Sequence, residues 1–220
     1  MKRQRSDSFT VAALLALSGG LLDAYTYLCR GGVFANAQTG NLVLLGVRLA
    51  EGQWRLASHY LVPILAFVLG VLAAEWLKNH CPVNGRLHWR QVVLGLEILL
   101  LAAVSWVPIG PWDGGVNSLV SFVCALQVEA FRTVRGNPFA STMCTGNLRS
   151  GTEALYVGIS AGDRDHLGRS GCYFGVIACF VAGAAAGVAV SHLAPQRAVL
   201  AAAGLQLAAL LWMCRGKEEE

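Results

Sequence analysis

Apolar runs dominate the chain, and short polar or glycine-rich breaks divide them into six segments long enough to cross a bilayer and two stretches that are not. The long runs predict helices over Phe9 to Leu28, Tyr60 to Leu77, Gln91 to Val107, Val116 to Thr133, Cys172 to Val190 and Arg197 to Met213. The stretch from Arg30 to Ser58 does not fit this pattern. Its apolar part, Leu42 to Ala50, is only nine residues, too short to span and suited to a re-entrant half-helix. Phe139 to Ile159 is a second stretch of the same kind. Trp54, Trp76, Trp89, Trp106, Trp112 and Trp212 all fall at or just outside an expected helix end, where indole rings favour the headgroup level.

The two awkward stretches are copies of one another. Phe34-Ala35-Asn36-Ala37-Gln38-Thr39-Gly40-Asn41-Leu42 returns as Phe139-Ala140-Ser141-Thr142-Met143-Cys144-Thr145-Gly146-Asn147-Leu148, and an acid stands 16 residues before each Thr-Gly-Asn, at Asp23 and at Glu129. Acid and motif share an offset of 106. Phe67 to Gly70 recurs as Phe180 to Gly183 at an offset of 113, and Gly95-Leu96-Glu97-Ile98 as Gly204-Leu205-Gln206-Leu207 at 109. Three ordered matches whose offsets differ only by loop lengths indicate a duplication. Residues 1–109 form the first three-helix repeat and 110–220 the second, with Pro108, Gly110 and Pro111 as the hinge.

Composition places this pattern in a membrane. The chain is 55% hydrophobic and 14% charged, with a mean hydropathy of +0.52, against about a quarter charged in soluble domains. The first helix, preceded by Lys2, Arg3 and Arg5, has the look of a signal peptide, but its counterpart, Val116 to Thr133, is internal, so it is expected to be retained.

Charge then fixes the expected orientation. If both motif stretches dip in and return, 13 Lys and Arg residues fall on the cytoplasmic side and 4 outside, namely Arg30, Arg48, Arg55 and Arg197. Full crossings by both stretches would nearly erase that asymmetry, so the positive-inside rule favours six spans with both termini and the Lys78 to Arg90 loop cytoplasmic. An odd number of spans per repeat makes the repeats inverted, the plan of many secondary transporters with sites near the midplane. The expected fold is all-α: six transmembrane helices in two inverted three-helix repeats, each with a re-entrant half-helix.

The candidate site follows from this plan. Thr39 and Thr145 are expected to N-cap half-helices beginning at Gly40 and Gly146, aiming backbone N–H groups and a partial positive charge at the membrane centre. Asn41 and Asn147 each add an amide donor and acceptor. Asp23 and Glu129 are acids in apolar runs, where a charge costs about 2.5–3.5 kcal/mol on insertion scales, so a partner or a task is expected. Glu129 has Arg132 three residues on, whereas Asp23 has no cation at that spacing and suits proton or cation coupling. Either acid could instead cap its own half-helix. Glu97 and Gln206 suit interhelical hydrogen bonding, and Gly183-Ala184-Ala185-Ala186-Gly187, with Gly70 and Ala74, is expected to let the second and fifth long helices pack closely.

Other chemistry is absent from the sequence. The seven cysteines show no CxxC spacing, the histidines fall in loops or at helix ends, and no nucleophile elbow, HExxH, Walker or dinucleotide motif occurs. No enzyme, metal site or cofactor is expected. The charge clusters lie at helix ends without interleaved aromatics, which speaks against nucleic acid. The expected partners are the lipid bilayer and an unidentified small solute or ion; a homo-oligomer is compatible with the sequence.

Leu22-Asp23-Ala24-Tyr25, Phe34 with Gln38-Thr39-Gly40-Asn41, and Phe139 with Thr145-Gly146-Asn147-Leu148 together resemble the YoaK-type family of bacterial inner-membrane proteins, a domain-of-unknown-function family. The resemblance covers nearly the whole chain and implies a multi-pass protein of the cytoplasmic membrane, with no assigned substrate. The functional expectation is a small secondary transporter; a passive channel and a non-transporting membrane scaffold are the alternatives.

Overall fold

The computed structural model describes residues 5–81, 88–142 and 144–214. Lys2, Arg3, Arg86, Arg215 and Lys217, counted above on the cytoplasmic side, lie outside them, as does Met143. The helices are α1 (Phe9–Cys29), α2 (Gln38–Ala50), α3 (Trp54–His80), α4 (Trp89–Val104), α5 (Asp113–Ala130), α6 (Cys144–Ala161), α7 (Arg164–Leu193) and α8 (Val199–Cys214). A small antiparallel hairpin, β1 (Thr133–Val134) and β2 (Asn137–Pro138), follows α5. All six expected long helices are present. α1, α3 and α7 are long and apolar enough to cross a membrane, with mean hydropathies of 1.4, 2.1 and 2.1.

Several boundaries differ from expectation for local reasons. α3 and α7 extend well past their apolar stretches, to 27 and 30 residues, because amphiphilic turns continue the helix beyond the apolar run. α7 begins where Asp163 Oδ1 accepts from the backbone N–H groups of Asp165 and His166, with the His166 ring 2.6 Å from Oδ2 holding the Asp163 carboxyl below the usual carboxylate range. α5 ends at Ala130, three residues before the expected Thr133, where the chain turns into the hairpin. Arg135 and Gly136, both at positive φ (51° and 77°), make its tight turn. α2 starts at Gln38, earlier than expected, and has 13 residues; α6 has 18, long for a half-helix.

α1 is the central element: 67% of its apolar window is buried inside the protein, against 17% for α3 and 22% for α7. Its glycines make this possible. A Cβ on Gly20 would stand 2.0 Å from the Phe180 carbonyl oxygen, and one on Gly183 would stand 2.1 Å from that of Leu17, so the α1 and α7 backbones touch. Gly70 likewise brings α3 against α5, 2.5 Å from the Phe122 carbonyl oxygen in the same sense. The small-residue faces of the second and fifth long helices therefore do not pack on each other. Each packs on the first helix of the other half of the chain, because that is where a backbone lies close enough to require them.

Helix directions follow from these contacts. Leu17 meets Gly183 and Leu21 meets Gly187, so α1 and α7 run parallel. Gly70 meets Phe122 and the Glu75 carboxyl lies against that of Glu129, so α3 and α5 also run parallel. α4 and α8 run antiparallel, with Gln91 Nε2 donating to Cys214 Sγ at one end and Gln196 Nε2 to the Ser105 carbonyl at the other. The α1–α8 pair is antiparallel and the α6–α7 pair is a hairpin, the latter closed by Ser170 Oγ donating to the Gly151 carbonyl. Five tryptophans stay exposed near helix ends, but Trp89 is buried in the cluster formed by α1, α3, α4, α5 and α8, with the Arg90 guanidinium over its ring.

Candidate functional site: a cavity between two helix N-termini

The repeated motif folds as a clasp. Asn41 Oδ1 accepts from the Phe34 backbone N–H at 3.2 Å and its Nδ2 donates to the Phe34 carbonyl at 2.7 Å. Asn147 does the same to Ala140, at 3.2 and 2.6 Å. Each amide thus acts as a strand-like partner for a residue seven positions earlier, drawing the loop back over the first turn of the helix it precedes. Asn41 Nδ2 also donates to Gln38 Oε1, which is why α2 begins at Gln38, with Ala37 as its N-cap. Thr39 is consequently inside the first turn of α2 and Thr145 inside that of α6, and neither is the N-cap residue expected from the sequence. Once the loop is held by the asparagine, the threonine hydroxyl is not needed to start the helix.

A cavity of about 550 Å³ lies where the two clasped helices begin. Thr39 of α2 and Thr145 and Gly146 of α6 line it, and Asp23 of α1 is the one charged residue among the described residues of its lining. Its walls are otherwise largely apolar, with Tyr27, Phe34, Phe67 and Phe180 among them. The Asp23 side chain is 7% exposed. Its Oδ1 accepts from the Asn36 backbone N–H at 2.8 Å and from Asn36 Nδ2 at 3.4 Å, and Nδ2 also reaches the Gly19 carbonyl. Asn36 lies within the motif, 13 residues after the acid, but sequence reasoning gave it no role.

The expected site residues thus separate into groups. Asp23, Thr39, Thr145 and Gly146 meet at the cavity. Gly40 packs under the Phe34 ring, while Asn41 and Asn147 are buried in their clasps. Glu129 is elsewhere. Its carboxylate pairs with Arg132 Nη2 and lies against Glu75 on α3. Thr142 occupies the position matching Asn36, and its side chain offers no amide to hold a carboxylate toward the cavity. Among the described residues no group of three or more His, Cys, Asp or Glu side chains is placed to hold a metal, and the seven cysteines are free thiols.

A helical bundle with long apolar helices and a largely apolar cavity at the start of two clasped helices defines the class to which this chain belongs. The chain belongs to the family described as protein of unknown function (DUF1275), whose family profile matches residues 11–212. It is 35% identical over 147 residues to the UPF0700 transmembrane protein YoaK of Bacillus subtilis (strain 168), a match spanning 64% of this chain and 64% of that protein. No solved structure matches.

Proposed function

We propose that the protein is a transmembrane protein of the cytoplasmic membrane and a small secondary transporter, with Asp23 as coupling acid in a midplane site between two inverted repeats. The convergence of the α2 and α6 N-termini on one cavity that also holds Asp23 carries this reading. The printed name of the Bacillus relative supports the membrane assignment.

Helix directions support six crossings. Let α1, α3, α4, α5, α7 and α8 each cross. If α2 and α6 also crossed, α4 and α8 would run the same way, yet they run oppositely. If α6 alone returned to the side it left, α1 and α7 would be antiparallel, yet they are parallel. If α2 alone returned, α4 and α8 would again be parallel. Only two returning segments satisfy both pairs. The pairing is also symmetric under exchange of halves: α1 on α7 answers α5 on α3, and α4 meets α8, its own counterpart.

The cavity narrows the solute. Aromatic and aliphatic walls cannot replace the water shell of a sugar or a multiply charged ion, whereas one carboxylate and a few hydroxyls suit an apolar body bearing no more than one positive charge. The test is counterflow in proteoliposomes with a panel of such solutes. Labelled solute should accumulate against unlabelled solute inside. Equilibration without overshoot would make the protein a channel, and inactivity of the folded protein across the panel would make it a scaffold.

A further inference from the structure

α4 carries one acid in its buried face, Glu97, fully enclosed at the level where α4, α5 and α8 meet. One turn before it, Leu94 packs with Leu126 and Ala209; one turn after it, Leu101 packs with Val120 and Ala202. Neither carboxyl oxygen of Glu97 has a hydrogen-bond partner among the described residues. Gln206 occupies the same layer on α8. Its Nε2 is committed to Gln127 Oε1 at 3.2 Å, and its own Oε1 is buried without a donor. Two acceptor groups left without donors in one dry layer call for an explanation, since buried polar atoms are almost always paired. One proton answers both: a neutral carboxylic acid has an O–H to donate, and Gln206 Oε1 is an acceptor without a partner.

The surroundings hold no counter-ion for a carboxylate. No basic group lies within electrostatic reach of Glu97 among the described residues. The titratable neighbours are Cys124 on α5 and, beyond it, Asp23 on α1; α8 presents only Gln206 at this level. Cys124 lies within reach of both acids, and its thiol sits against the Asn36 side chain that donates to Asp23. Cys124 and Asn36 therefore lie between Glu97 and the cavity.

We propose that Glu97 is a second proton-binding site of the bundle, a neutral carboxylic acid donating to the Gln206 carbonyl, which exchanges its proton with Asp23 at the cavity by way of the Cys124 thiol. The protonated acid stands without the transport reading; its exchange route rests on Asp23 facing a wet cavity.

Infrared difference spectroscopy on the full chain in nanodiscs reads the acid directly. At neutral pH the spectrum of the wild type minus that of Glu97→Gln should contain the carbonyl band of a protonated carboxylic acid, displaced in D2O. Glu97→Gln places in the first half the amide that the second half carries at Gln206, so the fold should hold. If it does not, Gln206→Leu reads the same acid, by shifting its band to higher frequency as the acceptor is lost. A spectrum without that band, or a band left in place by both substitutions, overturns the assignment. For the route, D2O exchange of the band should keep its rate in Cys124→Ser and slow severalfold in Cys124→Val. Equal rates in both would overturn the route. A protein inactive in counterflow would still show the band, so failure of the transport reading and failure of this one are distinguishable.

Discussion

Arg30 Nη1 donates to Asp113 Oδ1 at 2.8 Å and ties the end of α1 to the first residue of α5. The guanidinium is fully buried, and its remaining donors reach the Val107 and Pro108 carbonyls and the Tyr25 hydroxyl. A counterpart exists 106 residues earlier in the chain. Asp7, just before α1, accepts from the Gly136 N–H with Oδ2 and from the Arg135 N–H with its carbonyl, tying the start of the first half to the end of α5. Each half thus anchors the other's first helix through an aspartate.

Breaking one partner of this pair is expected to be costly. Asp113→Asn leaves a buried guanidinium without its counter-charge and should destabilise the protein by about 2–3 kcal/mol. Arg30→Met should cost at least as much, because it also strands two carbonyls. Thermal unfolding in detergent measures both, and wild-type midpoints would show the pair to be energetically idle.

The asparagine clasps predict matched losses. Asn41→Ala and Asn147→Ala each leave a half-buried backbone N–H and C=O unpaired, at about 1 kcal/mol per group. Stability should fall in both variants by similar amounts. If either kept full stability and lost only solute binding, that asparagine would be a ligand rather than a clasp.

Contact between the α1 and α7 backbones predicts a position-specific intolerance. Gly183→Ala should push the helices apart and cost about 1–3 kcal/mol. Gly95→Ala on α4, where an added Cβ meets nothing within 4 Å, should be tolerated. Equal behaviour of the two variants in unfolding would contradict the observed approach.

The proposed six crossings, with the N-terminus on the cytoplasmic side, would place Gln53 outside and His80 inside. In a background without the seven native cysteines, a cysteine at position 53 should react with an impermeant maleimide in whole cells, and one at position 80 should react only after lysis. Labelling of position 80 from outside would sink the arrangement.

Asp23→Asn keeps an oxygen for the Asn36 donors but cannot ionise, so the protein should fold and lose coupled transport. Glu129→Gln should act more mildly, since Glu129 pairs with Arg132 and does not line the cavity. Transport by Asp23→Asn equal to wild type at every pH would reduce Asp23 to a structural anchor for Asn36.

The sequence by itself determined the helices and the duplicated motif. Apolar runs of helical length and an acid and motif recurring at one offset are local properties, so α1, α4, α5 and α8 were legible to within three residues and α3 and α7 in their apolar parts, as was the pairing of Asp23 with Glu129 in sequence. What only the tertiary structure decided depends on which surfaces meet. The glycines of α3 and α7 signalled close packing, but the identity of the facing backbones is a long-range fact that no spacing encodes. Asn41 and Asn147 have the same donors and acceptors whether they hold a solute or a loop, and only the position of Phe34 and Ala140 made them clasps. Asp23 and Glu129 look alike in sequence. The carboxylates diverge because Asn36 holds one beside the cavity, while Arg132 and Glu75 engage the other away from it.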